Sequence, residues 1–173
     1  MSEPIHPEVR IGHAHLRVGD LERAPAFYRD VLGFDFIAYG PDIGMPGLVF
    51  LSAGGYHHHI ALNARDSAGG TPPPEGHTGL HHIAILYPNR RELAKAVKRV
   101  LDHGHALLPY AHKSPAGEAV YLKDPDGNGL ELYYDGPREQ WTDEEGKPLF
   151  HIDLIKEMDP KGVLEELEEL GPT

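Results

Sequence analysis

The stretch VRIGHAHLRVGDLERAPAFYRDVLG, residues 9–33, changes its apolar period once, and that change decides the fold. Residues 9–18 alternate and carry β-branched side chains, which predicts a strand. From Leu21 to Leu32 the apolar residues Leu21, Ala24, Phe27, Tyr28, Val31 and Leu32 recur at helical spacing, with Asp20 as cap and Gly33 as the residue that ends the helix. Pro25 suits only a first turn, so the helix begins a residue or two after Leu21. Three strand-like segments follow at 34–39, 47–53 and 56–63, separated by Gly and Pro turns. The order then repeats. HHIAILY at 81–87 predicts a strand, and Asn89 caps a helix with Leu93, Ala96, Val97, Val100 and Leu101 on one face. Gly104 closes that helix, and 105–110, 119–123 and 130–135 predict three more strands, the last two joined by the turn DPDGNG.

The two halves are in register. His82 follows His13 by 69 residues, as Asn89 follows Asp20, and Gly104 follows Gly33 by 71, as Tyr121 follows Phe50. The chain therefore reads as a tandem duplication of a βαβββ unit, an α+β fold with modules at 1–63 and 81–135. A Gly- and Pro-rich linker spans 64–80, and an extension at 136–173 carries a short helix that begins at Asp159–Pro160. In that helix Val163, Leu164, Leu167 and Leu170 are apolar, Gly171 ends it, and the acids of EELEEL read as a solvated face.

Composition narrows the class. A chain of 173 residues is one structural domain or two very small ones. The absence of cysteine excludes a disulfide scaffold, a thiol nucleophile and thiolate-ligated zinc or iron–sulfur sites. A formal charge of −11 argues against nucleic acid and anionic membranes as partners. No apolar run reaches the roughly 18 residues of a membrane span, and MSEPIHPEVR is not a signal peptide, so a soluble cytoplasmic protein is expected. A free sheet edge predicts a homo-oligomer.

The 13 histidines are the unusual feature. His6, His77, His103 and His151 lie among polar or Gly/Pro-rich neighbours and read as surface, and His105 as structural. The rest fall at His13 and His15, at His57, His58 and His59, at His81 and His82, and at His112. Strand alternation puts His13 and His15 on one face, and His57 and His59 on another. Pseudo-symmetry pairs His13 with His82, and His58 or His59 with Glu131. Phe50 to His59 is nine residues and Tyr121 to Glu131 ten; an extra residue in the DPDGN turn absorbs the difference and favours His59 as the counterpart of Glu131. Glu131 sits in an apolar strand, where an unpaired charge is costly and a cation is the natural partner. Two imidazoles and one carboxylate with open positions form the ligand set of mononuclear non-haem Fe(II) oxygenases.

GHAHLRVGDLERAPAFYRDVLGF at 12–34, HHIAILYPNRREL at 81–93 and YLKDPDGNGLELYYD at 121–135 together resemble the vicinal oxygen chelate superfamily, which includes glyoxalase I, antibiotic-resistance proteins and type I extradiol dioxygenases. GGYHHHIALN at 54–63, the DPDGNGLELY ending and PREQW at 137–141 look most like short, two-module catechol 2,3-dioxygenase-like proteins. The resemblance implies two modules forming a curved mixed sheet around a metal cavity. It implies metal ligands at His13, His82 and Glu131, with His15 behind the first and His81 facing away from the second. It also implies a tyrosine near substrate and oxygen at Tyr121, a substrate-contacting histidine at His112, and an acid–base histidine in an H-x-ϕ-A-ϕ setting (ϕ apolar), which is His58. Thus the repeat favours His59 where the resemblance favours His58. His112 itself lies in AHKSPAGEA, which reads as a loop.

The expected activity is extradiol cleavage of a catechol by O₂ at Fe(II), or at Mn(II) as a substitute. Its partners would be a small aromatic diol and dioxygen, as in aromatic hydrocarbon catabolism. A glyoxalase-type lyase or isomerase is the same-fold alternative. It calls for a fourth ligand, a Glu on the last strand of the first module, and no carboxylate lies between Phe50 and Arg65. A metal-free drug-binding resistance protein would have no need of the triad. A fosfomycin-type transferase would need more cations near the motifs than Lys113 and Lys123.

Overall fold

In the computed structural model, which describes residues 3–149 and 151–168, each repeat folds as a mixed sheet of its own. Two units result. One holds Met1–Arg29 and Phe34–Thr71; the other holds Asp30–Gly33 and Pro72–Thr173. Among the described residues no helix is long and apolar enough to cross a membrane.

The first unit contains β1 (Ala14–Arg17), α1 (Arg23–Ala26), β2 (Asp35–Tyr39), β3 (Leu48–Ser52) and β4 (Ile60–Asn63), with strand order β1-β4-β3-β2. β1 runs parallel to β4, and the other pairs are antiparallel. Ile60, Ala61 and Leu62 are all buried, as an inner strand covered on both faces requires. The predicted strand at 9–18 is shorter than expected, because β1 has only the four residues of β4 to pair with; Val9 and Ile11 stay exposed. The predicted strand at 56–63 also starts late. Gly54 and Gly55 both adopt left-handed φ, and Tyr56–His59 turn before the ladder begins at Ile60.

Asp20 Oδ1 accepts from the Glu22 and Arg23 amides at 2.7 and 3.0 Å, so it caps the helix as expected. α1 then widens into a π turn at Phe27–Val31, and the Phe34 amide donates back to the Tyr28 carbonyl at 3.0 Å. The two amide bonds, Arg23 first, lower the Asp20 pKa from 3.8. A depressed carboxylate pKa stabilises the fold above the unfolded value and stops doing so as pH falls through the folded one. Asp20→Asn keeps a capping oxygen without that titration. Between pH 5 and 2.5 its unfolding midpoint in urea is expected to fall less than that of the unaltered protein.

The second unit repeats the scheme with β5 (Ile83–Tyr87), α2 (Arg90–Asp102), β6 (Leu107–Ser114), β7 (Gly117–Lys123) and β8 (Gly129–Asp135), and adds β9 (Lys156–Glu157); its order is β5-β8-β7-β6-β9. Asn89 accepts from the Glu92 amide at 3.0 Å and caps α2. Leu93, Ala94, Ala96, Val97 and Val100 are buried against the sheet, chiefly β8, where Leu130 and Leu132 are fully buried, as are Val120 and Leu122 of β7. Alternation then sends Tyr121, Glu131 and Tyr133 to the face away from α2.

β6 corrects the reading of AHKSPAGEA as a loop, because His112 lies within a strand. Pro109 falls where the β6–β7 register slips, between Leu107 and Ala111, which is how a strand accommodates a residue with no N–H. In the extension, Asp159 caps a turn and a 3-10 segment at Gly162–Leu164 leads into α3 (Glu165–Glu168); Leu170 and Gly171 lie outside the described residues. Val163 is fully buried beneath α2, and Glu166 pairs with Arg90, so the acidic run is not wholly solvated. His6, His77, His103 and His151 are exposed, as expected.

Candidate metal centre

The second unit builds its part of the site from a turn. Asp124 Oδ1 accepts from the Asp126 and Asn128 amides at 2.9 and 2.8 Å, Asn128 Nδ2 donates to Asp124 Oδ2 at 2.9 Å, and Gly127 takes a left-handed φ of 84°. That closed turn sets the β7–β8 register, in which Tyr121 lies opposite Glu131. The Tyr121 hydroxyl donates to Glu131 Oε1 at 3.0 Å. Burial first, and the adjacent carboxylate second, push the Tyr121 pKa well up, so the phenol stays protonated and remains a donor.

His82 Nε2 lies 2.8 Å from Glu131 Oε2, in a half-buried pair. Glycine makes this approach possible: a Cβ on Gly129 would stand 2.2 Å from the His81 carbonyl oxygen and 3.1 Å from His82 Cβ. Gly129→Ala is expected to displace the His81–His82 backbone and cost about 1–3 kcal/mol of stability, as overpacking does. Chemical denaturation checks the stability, and metal titration should show weakened binding beside it. His81 does not face away from His82, because both residues precede the strand and alternation does not govern them. Their Nδ1 atoms are 2.8 Å apart, which leaves His82 Nε2 turned to the carboxylate.

His112 and Tyr110 join the same cluster. The Tyr121 ring lies 5.7 Å from those of His82 and His112, and 5.1 Å from that of Tyr110. Tyr110 was missed in the sequence. Its signal was the two-residue spacing to His112, which has meaning only once both belong to a strand.

In the first unit the rings of His13 and Phe50 both pack against that of His58, the first tilted and the second edge to face. The His58 ring centroid lies 4.4 Å from that of His13 and 5.1 Å from that of Phe50. His58 Nδ1 is 2.7 Å from His57 Nδ1. Burial first, then the imidazoles of His13, His57, His15 and His59, lower the His58 pKa from 6.5, so the ring is neutral near pH 7. His59 is committed elsewhere: its Nδ1 accepts from the Ala53 amide at 3.2 Å and lies 3.1 Å from the buried Ser52 hydroxyl. His15, on β1, is largely exposed, and partial desolvation first, then the charges of His13 and Arg65, lower its pKa.

The repeat argument for His59 fails on register. Ala14 pairs with Ile60 where Ile83 pairs with Leu130, and Phe50 faces Ala61 where Tyr121 faces Glu131. The counterpart of Glu131 is therefore Ala61, and neither His58 nor His59. A count that treats 56–63 as unbroken strand places the counterpart two residues early, at His59.

The donors suit a divalent ion that accepts nitrogen and oxygen. Two donors about 2.1 Å from one ion in cis positions stand about 3 Å apart, close to the 2.8 Å between His82 Nε2 and Glu131 Oε2. Tyr121 holds the other carboxylate oxygen, so Oε2, which faces His82 Nε2, is the oxygen that could take a metal. Among the described residues, no group of three or more His, Asp or Glu side chains is placed to hold an ion.

The sequence profile of the Glyoxalase/Bleomycin resistance protein/Dioxygenase superfamily matches residues 10–132. A catechol-2,3-dioxygenase of Bacillus subtilis is 38% identical over 163 residues, which are 94% of this chain and 53% of that protein. The chain thus spans about half the length of that relative. A lactoylglutathione lyase of Salmonella typhimurium is 29% identical across 72% of this chain and 91% of its own. The crystal structure of a lactoylglutathione lyase from Agrobacterium tumefaciens, 26% identical, superposes with a TM-score of 0.56 over 75% of this chain and 96% of that one. Two mixed sheets with the same strand order, and a profile match over most of the length, lead to one conclusion: this chain belongs to the Glyoxalase/Bleomycin resistance protein/Dioxygenase superfamily.

Proposed function

We propose that the protein is an extradiol dioxygenase that cleaves a catechol beside its vicinal hydroxyls with O₂, using Fe(II), or Mn(II) as a substitute, held by His13, His82 and Glu131. The observation that carries this reading is Ala61 in the register position of Glu131. A methyl group cannot ligate. The donor set thus stops at two imidazoles and one carboxylate, and an octahedral ion keeps room for a chelating diol and dioxygen. The same observation counts against the lyase alternative, which needs a carboxylate at that position. The likeness to the Bacillus subtilis dioxygenase supports the choice.

When bound, the ion supplies Lewis acidity toward the diol and electron transfer toward O₂. The chain's own groups do the rest. With its Nδ1 turned to His57, His58 offers Nε2 as the base that takes the second hydroxyl proton and later returns it. Tyr121 fixes the Glu131 carboxylate with its single proton and leaves its oxygen free to accept from a diol hydroxyl, and His112 supplies a hydrogen bond to the reacting oxygens. His81 orients the His82 ring from behind. Phe50 packs beside His58 and keeps that side of the base apolar.

Protein loaded anaerobically with ferrous iron should turn a catechol into a yellow ring-fission product with oxygen uptake. A panel of catechols that gives neither colour nor uptake would remove the reading. His58→Ala and His59→Ala separate the two histidines. His58→Ala is expected to retain iron and lose on the order of 10²–10⁴-fold in kcat, as loss of a general base does. His59→Ala should retain most of its turnover. Single-turnover rates at matched iron content distinguish them.

A further inference from the structure

The extension at 136–168 reaches back to the edge of the second sheet at one functional point. β9 pairs with β6 through His112↔Glu157 and Lys113↔Lys156, and the Met158 amide donates to the Ala111 carbonyl at 3.1 Å. Without β9, β6 would be an edge strand with unpaired backbone groups flanking His112. Residues directly opposite in an antiparallel pair project to the same face, with Cβ atoms about 4.5–5.5 Å apart. Glu157 therefore stands beside His112 on one side, and Ala119, the β7 partner, leaves the other side open.

A second contact holds the extension in place. Arg90, at the start of α2, donates Nε to Glu118 Oε2 of β7 at 2.9 Å, Nη1 to Glu166 Oε2 of α3 at 3.1 Å, and Nη2 to the Gly162 carbonyl at 3.1 Å. Beside it Val163 is fully buried under α2. The guanidinium thus ties helix, sheet and extension together with three directed bonds that an ammonium reproduces only in part.

We propose that residues 156–168 are a strap that positions His112: β9 pins the strand that carries it, Glu157 flanks it in the ladder as the strap's nearest carboxylate, and Arg90 is the latch. This rests on the reading of His112 as a substrate contact. Arg90 and Glu157 are positioning residues, since neither is placed against substrate.

Three readouts test the strap. In Arg90→Met the Met158 amide should exchange with solvent at least tenfold faster, while the Val97 and Leu132 amides keep their protection. With Fe(II) loaded, kcat for catechol should fall about tenfold with KM within twofold, and Arg90→Lys should recover kcat to within about threefold of the unaltered protein. Glu157→Gln, which leaves the latch alone, should keep Met158 protected, yet change the ring ¹⁵N shifts of His112 and lower kcat. Unchanged His112 ring signals in both Arg90→Met and Glu157→Gln would overturn the proposal, as would faster Met158 exchange with unaltered kcat. The ring signals do not depend on turnover. If the unaltered protein leaves every catechol untouched, the dioxygenase reading fails, and the His112 shifts still decide the strap.

Discussion

Glu131→Ala is expected to abolish tight Fe(II) binding. The carboxylate is the one anionic donor proposed for the ion, and its partner His82 Nε2 stands 2.8 Å away. Even partners behind the ligands are worth about 10–100-fold in metal affinity, so loss of the ligand itself should cost on the order of 100-fold or more. Anaerobic calorimetric titration with Fe(II) measures this. Tyr121→Phe is the control. It removes the hydroxyl that donates to Oε1 while leaving the carboxylate, and should weaken binding about tenfold. Equal iron affinity in Glu131→Ala and the unaltered protein would show that the ion, if bound, is held elsewhere. Glu131→Ala should still fold, because the helix-facing side of β8 is untouched: Leu130 and Leu132 alone occupy it within the ligand's turn of strand.

Leu132→Ala carries the largest expected effect on stability. The side chain is fully buried on β8, in the layer formed with Leu93, Val97 and Val100 of α2. Removing three carbons from such a layer costs the transfer energy of those atoms and leaves a cavity, together about 2–5 kcal/mol. Leu86→Ala on β5 is the comparison, since that side chain is 53% exposed and should change stability by less than about 0.5 kcal/mol. Urea unfolding of the three proteins decides the matter. A Leu132→Ala cost below about 1 kcal/mol would mean that α2 does not depend on this layer.

The fold was legible in the sequence where period and punctuation agreed. Asp20 and Asn89 cap where they were expected to, Gly33 and Gly104 take positive φ at the helix ends, and the repeat emerges as two sheets with matching strand order. The reading slipped where backbone pairing overrides side-chain pattern. His57–His59 look like strand, but Gly54 and Gly55 turn the chain and delay β4 to Ile60. That four-residue delay moved the counterpart of Glu131 from a histidine to Ala61. His112 was hidden by the opposite error. Lys, Ser, Pro and Gly around it suggested a loop, whereas pairing with β7, and with β9 from about 45 residues downstream, holds it in a strand. A contact contributed from so far along the chain leaves no local trace. Of the candidate site, the structure joins His82 with Glu131, Tyr121 and His112 in one unit, and His13 with His58 in the other.

The proposed centre is an ion with two imidazoles, one carboxylate and positions left over for a diol. X-ray absorption at the iron edge of Fe(II)-loaded protein, recorded without and with catechol, addresses that directly. The expected spectra show two imidazoles in both states, and light oxygen scatterers that shorten and reorganise when catechol is added. Fewer than two imidazoles, or a shell that catechol leaves unaltered, would contradict it.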